Sequence, residues 1–212
     1  MELRPLRADA RRNREQVLAA AESVFAEGGL KAPIEEVARR AGVGVGTVCR
    51  HFPTKQALVD AVVRRLIEPL VLHAQDALHD PDAGVAFRNF VLALSDVQAR
   101  HLALAEQMAK EIDGSSETEP LRTELRAAVD DLLARAQAAG SIRADVGPAD
   151  VSMLFSGVAH ATSLVGEHQA KLRHRYVTII LDGLRPDDAT TLPGRPMDFA
   201  TLQRLKSRRV AR

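Results

Sequence analysis

The chain has 212 residues, 46% of them hydrophobic, which is enough to bury the core of one large domain or two small ones. Aromatic residues make up only 3%, a composition that argues against a sheet-rich fold and favours helices. The net charge of +1 is unevenly distributed, because residues 1–55 carry ten Lys and Arg against seven acids, whereas residues 81–184 carry ten against fourteen. A basic N-terminal part on an acidic body is typical of a protein that presents one end to nucleic acid.

Cysteine usage and hydropathy restrict the compartment. Cys49 is the only cysteine, which excludes an internal disulfide and indicates a reducing cytosol. No apolar run approaches the roughly 18–20 residues of a membrane span, and residues 1–10 lack the apolar centre of a signal peptide. We therefore expect a soluble, cytoplasmic protein that does not use the membrane as a partner.

The chain opens with a polar and basic stretch. Residues 1–12 are interrupted by Pro5 and predict a flexible basic arm, which either has no role or reaches DNA phosphates or the minor groove. A first helix follows, because apolar residues recur at helical spacing at Val17, Ala20, Ala21, Val24 and Phe25. The pair Gly28-Gly29 should end it.

The next stretch predicts two short helices joined by a glycine turn. Residues 34–41 form one amphipathic helix, and residues 45–51 form a second, with Val48 and Phe52 on its inner face. Gly42 lies between them, where a helix can end in the left-handed conformation that glycine adopts without strain. Two short helices in this arrangement form a helix-turn-helix unit, whose second helix can enter a DNA major groove.

The segment AGVGVGTVCRHFPTKQAL, residues 41–58, resembles the signature of TetR-type (TetR/AcrR-like) transcriptional regulators, whose usual form is close to AGVSxGTLYxHFxxKxxL. The preceding REQVLAAAESVFAEGG is similar to the first helix of that family. The resemblance implies an all-α protein with an N-terminal three-helix helix-turn-helix domain and a C-terminal helical domain for ligand binding and dimerisation. We place the first at residues 13–54, the second at 55–185, and a Pro-containing basic tail at 186–212.

The resemblance also implies a DNA-binding set made up of Val45, Gly46, Thr47, Cys49, Arg50, His51 and Lys55. Thr47, His51 and Lys55 match family positions that contact phosphates. Arg50 has the chemistry to bind guanine O6 and N7, and Val45 to contact a thymine methyl group, unless both are merely exposed. The chain departs from the family pattern at two positions: Gly44 replaces the usual serine cap, and Cys49 replaces the usual tyrosine. Both changes weaken phosphate anchoring and leave the fold intact.

Beyond residue 55, apolar periodicity predicts further helices. Thr54 should cap a long fourth helix that is kinked at Pro69. Asp80-Pro81 should open the next helix, and a short one should contain Leu104. Three more helices are expected from Leu121 to Gly140, over roughly 149–166 and over roughly 168–184. Asp198 should cap a short terminal helix.

Two sites are expected in the C-terminal domain. Inward-facing positions predict an effector cavity near Phe87, Phe90, Met108, Phe155 and His160, with plain core packing as the alternative. The segment YVTIILDGL, residues 176–184, is apolar nearly all round, so we expect the last two core helices to pair with a second copy as a four-helix bundle. The predicted dimer interface comprises Phe155, Tyr176, Ile180 and Leu184.

The sequence therefore predicts a homodimeric, DNA-binding transcriptional regulator, a repressor released from a palindromic operator by an unknown small molecule, with no cofactor. One alternative is a DNA-binding scaffold without an effector. Another is a helical enzyme, for which we find neither an HExxH pair nor a nucleophile elbow. His73, Asp76 and His79 recur every three residues, but a metal site would need ligands from elsewhere, so we predict no metal. Cys49 lacks the partner cysteine of a redox switch.

Overall fold

A computed structural model describes residues 3–102, 104–105, 117–187 and 189–210, and all regular elements within them are helical. This confirms the all-α prediction. The helices are α1 (Leu3–Gly28), α2 (Ile34–Ala41), α3 (Val45–His51), α4 (Lys55–Ala77), α5 (Ala83–Arg100), α6 (Glu119–Ala138), α7 (Pro148–Ser163), α8 (Gln169–Gly183) and α9 (Phe199–Val210). A 3-10 turn, Gly166–His168, precedes α8.

Helices α1–α3 form a unit that we call the headpiece. Its core consists of side chains that recur at helical spacing, and the largest of them are fully buried: Val17, Phe25, Val37 and Val48. Gly42 ends α2 with φ +68°, and its amide donates to the carbonyls of Ala38 and Arg39. Since α2 and α3 have the predicted bounds, the helix-turn-helix prediction is confirmed.

Helix α1 is longer than the sequence suggested. It begins at Leu3, which differs from the flexible arm expected over residues 1–12. The physical reason is that Pro5 lies within the first helical turn, where the backbone N–H groups have no partner in the helix and a proline costs little. The headpiece therefore carries an N-terminal helical extension of about three turns.

Helix α4 joins the headpiece to the remaining helices. Its first turn is capped as predicted, because the Thr54 hydroxyl accepts a hydrogen bond from the Ala57 amide at 3.0 Å. The helix continues through Pro69 to Ala77. Its side chains up to Val71 belong to the headpiece core, whereas Ala74 belongs to a second core, so one helix is packed into both.

Helices α5–α8 form the body around this second core. Its largest buried side chains are Phe87, Phe90, Leu132 and Phe155. Helix α5 begins at Ala83, with Asp82 as its N-cap, so the predicted start at Asp80-Pro81 is corrected. The Asp80 carboxylate instead accepts from the Asp82 amide and shapes the preceding turn.

Two carboxylates of the body accept hydrogen bonds from the chain that follows α8. Asp145 accepts from the Leu192 amide, and its ion pair with Arg143 lowers the pKa of its carboxyl to about 2. Asp150 accepts from the Met197 amide at 3.1 Å. Helix α9 is then capped by Asp198, as predicted, and buries Leu202 against α7.

Part of the predicted short helix lies outside the described residues, and Met108 with it. Leu104 is described and is 1% exposed, packed on the headpiece core. Among the described residues, no helix is both long and apolar enough to cross a bilayer.

Candidate nucleic-acid interface

One side of helix α3 packs on the headpiece core and the other faces solvent. Val48 and Phe52 point inward and are 0% and 3% exposed. The solvent-facing side consists of residues at helical spacing i, i+1, i+4 and i+5, namely Val45, Gly46, Cys49 and Arg50. Four of the seven predicted DNA-binding residues therefore share one open surface, which we call the α3 face.

Thr47 and His51 lie at the edge of this face. Both are half-buried, between the solvent-facing and the core-facing sides of α3. The His51 ring is tilted against the Phe52 ring, with 6.4 Å between the ring centroids. Their position at the margin agrees with the phosphate-contacting role that the resemblance implies for them.

Lys55 has a structural role that the sequence did not reveal. Its Nζ donates to the carbonyl oxygen of Ala32 at 2.7 Å, which ties the start of α4 to the loop before α2. An ammonium group has three donors, so this bond leaves capacity for a phosphate. No local pattern links residues 32 and 55, and the contact follows only from the tertiary fold.

The two helices of the motif differ in charge balance. On α2, Arg39 donates to Glu36 and Arg40 to Glu27, each pair with a contact of 2.6 Å. These hydrogen bonds lower the pKa of both glutamates. Arg50 on α3 is exposed and has no ion-pair partner among the described residues. The uncompensated positive charge of the motif therefore lies on the α3 face.

Gly44 precedes α3 without a side-chain cap, as predicted. A Cβ atom at Gly44 or Gly46 would meet nothing within 4 Å, so neither glycine is required by packing inside this chain. The space in front of both residues is open to a partner.

Arg14 lies close to the C-terminal end of α3 and was not predicted. Its guanidinium carbon lies 5.2 Å from the centroid of the Phe52 ring, directly after α3. A signal was present in the sequence, because Arg14 stands seven residues before the buried Ala21 and therefore on the same side of α1.

The predicted effector residues do not form one cavity in the described part of the chain. Phe90 and Phe155 are 0% and 2% exposed and pack within the body core. Phe87 lines a cleft between the start of α5 and the end of α8, whereas His160 lines a different cleft. Met108 lies outside the described residues.

The cleft at His160 has a volume of about 450 Å³ and lies between α5, α7 and α9. Apolar side chains of Leu102, Met153 and Leu202 line it, and Ser156 contributes a polar group. Gln98 also lines it, and its Oε1 atom is buried without a hydrogen-bond partner among the described residues. A buried acceptor of this kind favours a ligand with a hydrogen-bond donor.

The structure corrects two of the four predicted interface residues. Phe155 and Leu184 are 2% and 5% exposed and pack inside their own chain, because the inner side of α8 continues from Val177 to Leu184. Tyr176 is 44% exposed and Ile180 is half-buried. Further large apolar side chains are exposed on these two helices, namely Ile179 on α8 and Met153 and Leu154 on α7.

The two histidines that were considered and rejected as metal ligands have other contacts. His73 lies edge-on to the Phe90 ring, and the Nδ1 atom of His79 lies 2.8 Å from the Gln75 carbonyl oxygen. Within the described residues, no group of three or more His, Cys, Asp or Glu side chains is arranged to hold a metal ion.

Two family models match the chain. Residues 17–62 match "Bacterial regulatory proteins, tetR family", which covers the helix-turn-helix and the start of α4. Residues 82–186 match "Transcriptional regulator SbtR-like, C-terminal domain", which covers the body.

Similar proteins agree with these matches. A TetR transcriptional regulator from Streptomyces coelicolor is 32% identical, with a TM-score of 0.62 over 82% of this chain and 99% of that one. The TetR transcription regulatory protein from Mycobacterium vanbaalenii is 38% identical, with a TM-score of 0.60 over 85% and 99%. An HTH-type transcriptional regulator from Staphylococcus aureus is 30% identical over 76 residues, 35% of this chain and 41% of that protein. The match thus spans less than half of this curated relative.

Proposed function

We propose, from the premise that this chain belongs to the TetR family of bacterial transcriptional regulators, that it is a dimeric repressor released from a palindromic operator by a small molecule. Membership confirms the resemblance seen in the sequence. It makes the chain a DNA-binding transcriptional regulator and indicates a non-enzymatic one. The repressor role, the operator symmetry and the effector are the proposal.

The observation that carries the proposal is the charge and exposure of the α3 face. Neighbouring arginines on α2 are neutralised by glutamates, whereas Arg50 stands exposed beside Val45 and Gly46. A guanidinium without an internal partner can bind a guanine edge through two hydrogen bonds, and Val45 offers an apolar contact to a thymine methyl. Thr47, His51 and Lys55 at the margin would fix the helix against phosphates.

The body supplies the support for a dimer. Tyr176 and Ile179 on α8, and Met153 and Leu154 on α7, are large apolar side chains that are each more than 40% exposed. Because α7 and α8 pack on each other, large apolar side chains left exposed on both helices favour a protein interface there, since their contact with water is unfavourable. A two-fold dimer through α7 and α8 would place two recognition helices on successive major grooves, about 34–36 Å apart, which requires a palindromic operator.

The cleft at His160 supports an effector. Its volume of about 450 Å³ lies within the roughly 300–1,000 Å³ of ordinary ligand pockets. Its lining combines apolar side chains with the unpartnered Gln98 oxygen, which suits a mostly apolar small molecule that carries a donor group. We place the effector there, next to the interface helix α7, rather than among the buried rings of Phe90 and Phe155.

Release follows from a preference of the effector for one dimer geometry. A ligand shifts an equilibrium only by its difference in affinity for the two states. An effector that moves α7 would alter the spacing of the two headpieces, and a coupling of about 1–3 kcal/mol changes operator affinity about 5- to 150-fold. Helix α4, packed into both cores, is the physical link between headpiece and body.

The test is fluorescence anisotropy with the duplex upstream of the protein's own gene, against a scrambled duplex of equal length. We expect tighter binding to the first and a linear fall of log K with log salt for both. Mostly apolar small molecules that carry a hydrogen-bond donor should then release the protein from the specific duplex. Gln98→Leu should abolish this release and leave DNA binding in the absence of effector intact. Equal affinity for both duplexes would show that the upstream duplex contains no operator. If the effector still releases the Gln98→Leu variant, the effector site lies outside the His160 cleft.

A further inference from the structure

The chain that leads from α8 to α9 is held to the body at both of its ends. We call residues 190–197 the strap. At its start, Arg143 donates to the carbonyl oxygen of Thr190, and Asp145 accepts a hydrogen bond from the Leu192 amide at 3.2 Å. Arg143 and Asp145 are themselves joined by two hydrogen bonds of 2.6 and 2.8 Å, so the pair that receives the strap is well ordered.

The strap ends against the first turn of α7. The Met197 amide donates to the Asp150 carboxylate, and the Met197 carbonyl oxygen accepts from the Ala149 amide, both at 3.1 Å. The two backbones are so close that a Cβ atom at Gly147 would lie 2.3 Å from the Met197 oxygen. Gly147 has a φ of −99°, which any residue adopts, so the approach of the strap is what requires glycine there. Met197 is therefore a fixed point of the chain.

Helix α9, in contrast, is attached by little. It has 12 residues and packs on α7, and among its described side chains Leu202 is the buried one, at 9% exposure. Leu205, about one turn further on, is 51% exposed. Isolated helices of this length are marginal in water, and a segment with few buried contacts opens with a small free energy. We therefore expect α9 to open and close without the rest of the body, with Asp198 as the junction next to the fixed Met197.

The buried leucine of α9 is also a wall of the His160 cleft. Leu202 lines the cleft together with Ser156 and His160 of α7 and Gln98 of α5. With α9 in place, Leu202 offers an apolar contact to a molecule in the cleft. With α9 moved away from α7, the cleft loses this wall and opens to solvent.

We propose that α9 is a lid on the His160 cleft, hinged at Asp198 and positioned by the strap, and that a bound effector packs against Leu202 and holds the lid closed. The inference deepens the proposed function and rests on the placement of the effector in this cleft. A ligand that binds the closed form stabilises it, so the entry and the release of the effector follow the opening of α9.

Hydrogen exchange of the full-length chain, followed by NMR, tests the hinge. The α9 amides should exchange faster than the α7 amides, because α9 opens separately. Leu202→Ala should speed the exchange of α9 about 10-fold or more, since its buried contact is lost, and should leave the Met197 amide unchanged. Leu205→Ala, the same truncation at an exposed position of the same helix, should change neither.

Gly147→Ala tests the strap, because the added Cβ atom would displace Met197. Both the Met197 amide and the α9 amides should then exchange about 5-fold faster or more, as the two hydrogen bonds of Met197 are lost. Gly183→Ala is the matched control, since a Cβ atom at this position of α8 meets nothing within 4 Å. It should exchange like the natural chain.

N-phenyl-1-naphthylamine, a mostly apolar fluorescent molecule with one N–H donor, is the probe for the cleft. At saturation it should slow the exchange of α9 in the natural chain, because it holds the lid closed. Leu202→Ala should release the probe about 5-fold faster or more in stopped-flow fluorescence, since the contact with the lid is reduced.

The lid is overturned if the α9 amides exchange together with those of α7, or if Leu202→Ala and Leu205→Ala have equal effects. It is also overturned if the bound probe leaves the exchange of α9 unchanged, and in that case the effector site itself stands. If the natural chain does not bind the probe, the effector site at the cleft is removed and the role of the lid with it. DNA binding by the α3 face is independent of all these outcomes.

Discussion

The headpiece and the body place their exposed apolar side chains differently. Among the described side chains of α1–α3, Val45 on the recognition helix is the large apolar residue left open, at 40% exposure. The body leaves several open on α7 and α8, including Met153 at 54% and Ile179 at 53%. The headpiece core is therefore closed within one chain and its open residue lies on the α3 face, whereas the body is apolar on the side where a second copy is proposed to bind.

The largest expected effect comes from a substitution that places a charge among the exposed apolar side chains of α7 and α8. Ile179→Arg should convert the proposed dimer to monomers, because an arginine would be buried without a partner at the interface. Operator affinity should fall about 100-fold or more, since each headpiece would then bind its half-site alone. Sedimentation velocity and anisotropy measure the two effects.

The matched control for this change is Leu72→Arg, at an α4 residue that is 61% exposed and lies outside α7 and α8. It should leave both the assembly state and the operator affinity unchanged. If the Ile179→Arg variant is still dimeric, the interface lies on another surface. If it is monomeric and keeps full operator affinity, DNA binding does not depend on dimerisation.

The next effect tests the charge difference between α2 and α3. Arg50→Ala should relax the preference at one base pair by about 1–3 kcal/mol, because a two-bond guanine contact is lost. Arg39→Ala removes an exposed charge that is already bound by Glu36 and should leave the preference unchanged. Binding to single-base operator variants measures both, and a shared loss of preference would mean that the α3 face does not read bases alone.

The sequence predicted the headpiece closely because each signal there is local. Gly42 at a left-handed turn and Thr54 as a cap are decided by their immediate neighbours. The contacts that it missed join distant positions, such as Lys55 to Ala32 and Arg14 to Phe52.

In the body, periodicity identified residues that face a neighbour but not which neighbour. Phe155 and Leu184 satisfy the apolar pattern of an interface equally well inside their own chain, where the structure places them. The His160 cleft also depends on α9, and hydrogen bonds to Asp145 and Asp150 help to hold the chain that leads to it against the body. No short stretch of the sequence indicates these contacts between distant residues.

A smaller effect sharpens the view of the body as a rigid support. Arg173 is 6% exposed and donates to Asp96 at 2.9 and 2.7 Å, which joins α8 to α5. Asp96→Ala should lower the free energy of unfolding by about 1–2 kcal/mol, because it leaves a buried guanidinium without its acceptor. Arg173→Met should cost less than about 1 kcal/mol, since the half-exposed Asp96 can be hydrated. Urea denaturation measures both, and the opposite order would show that packing of the arginine stem dominates.

The smallest expected effect concerns the junction between the two regions. His101, at the end of α5, is 8% exposed, and its Nε2 atom lies 3.4 Å from Glu22 on α1. Burial lowers the pKa of His101 below its ordinary value of 6.5, against the opposing attraction of Glu22. The unfolded chain therefore takes up a proton at a higher pH than the folded one.

Because folding lowers the pKa of His101, this residue makes the folded state less stable as the pH falls. The contribution of His101 is fully present above pH 6.5 and is lost as the pH falls through the lowered pKa of the folded state, because protons then favour the unfolded chain. His101→Gln removes the titrating group, so the free energy of unfolding should depend less on pH between about 7 and 5 than in the natural chain. His174→Gln, at an exposed position of α8, should keep the natural dependence. If His101→Gln instead steepens the curve, the Glu22 attraction outweighs burial, and the protonated imidazole would hold the headpiece to the body.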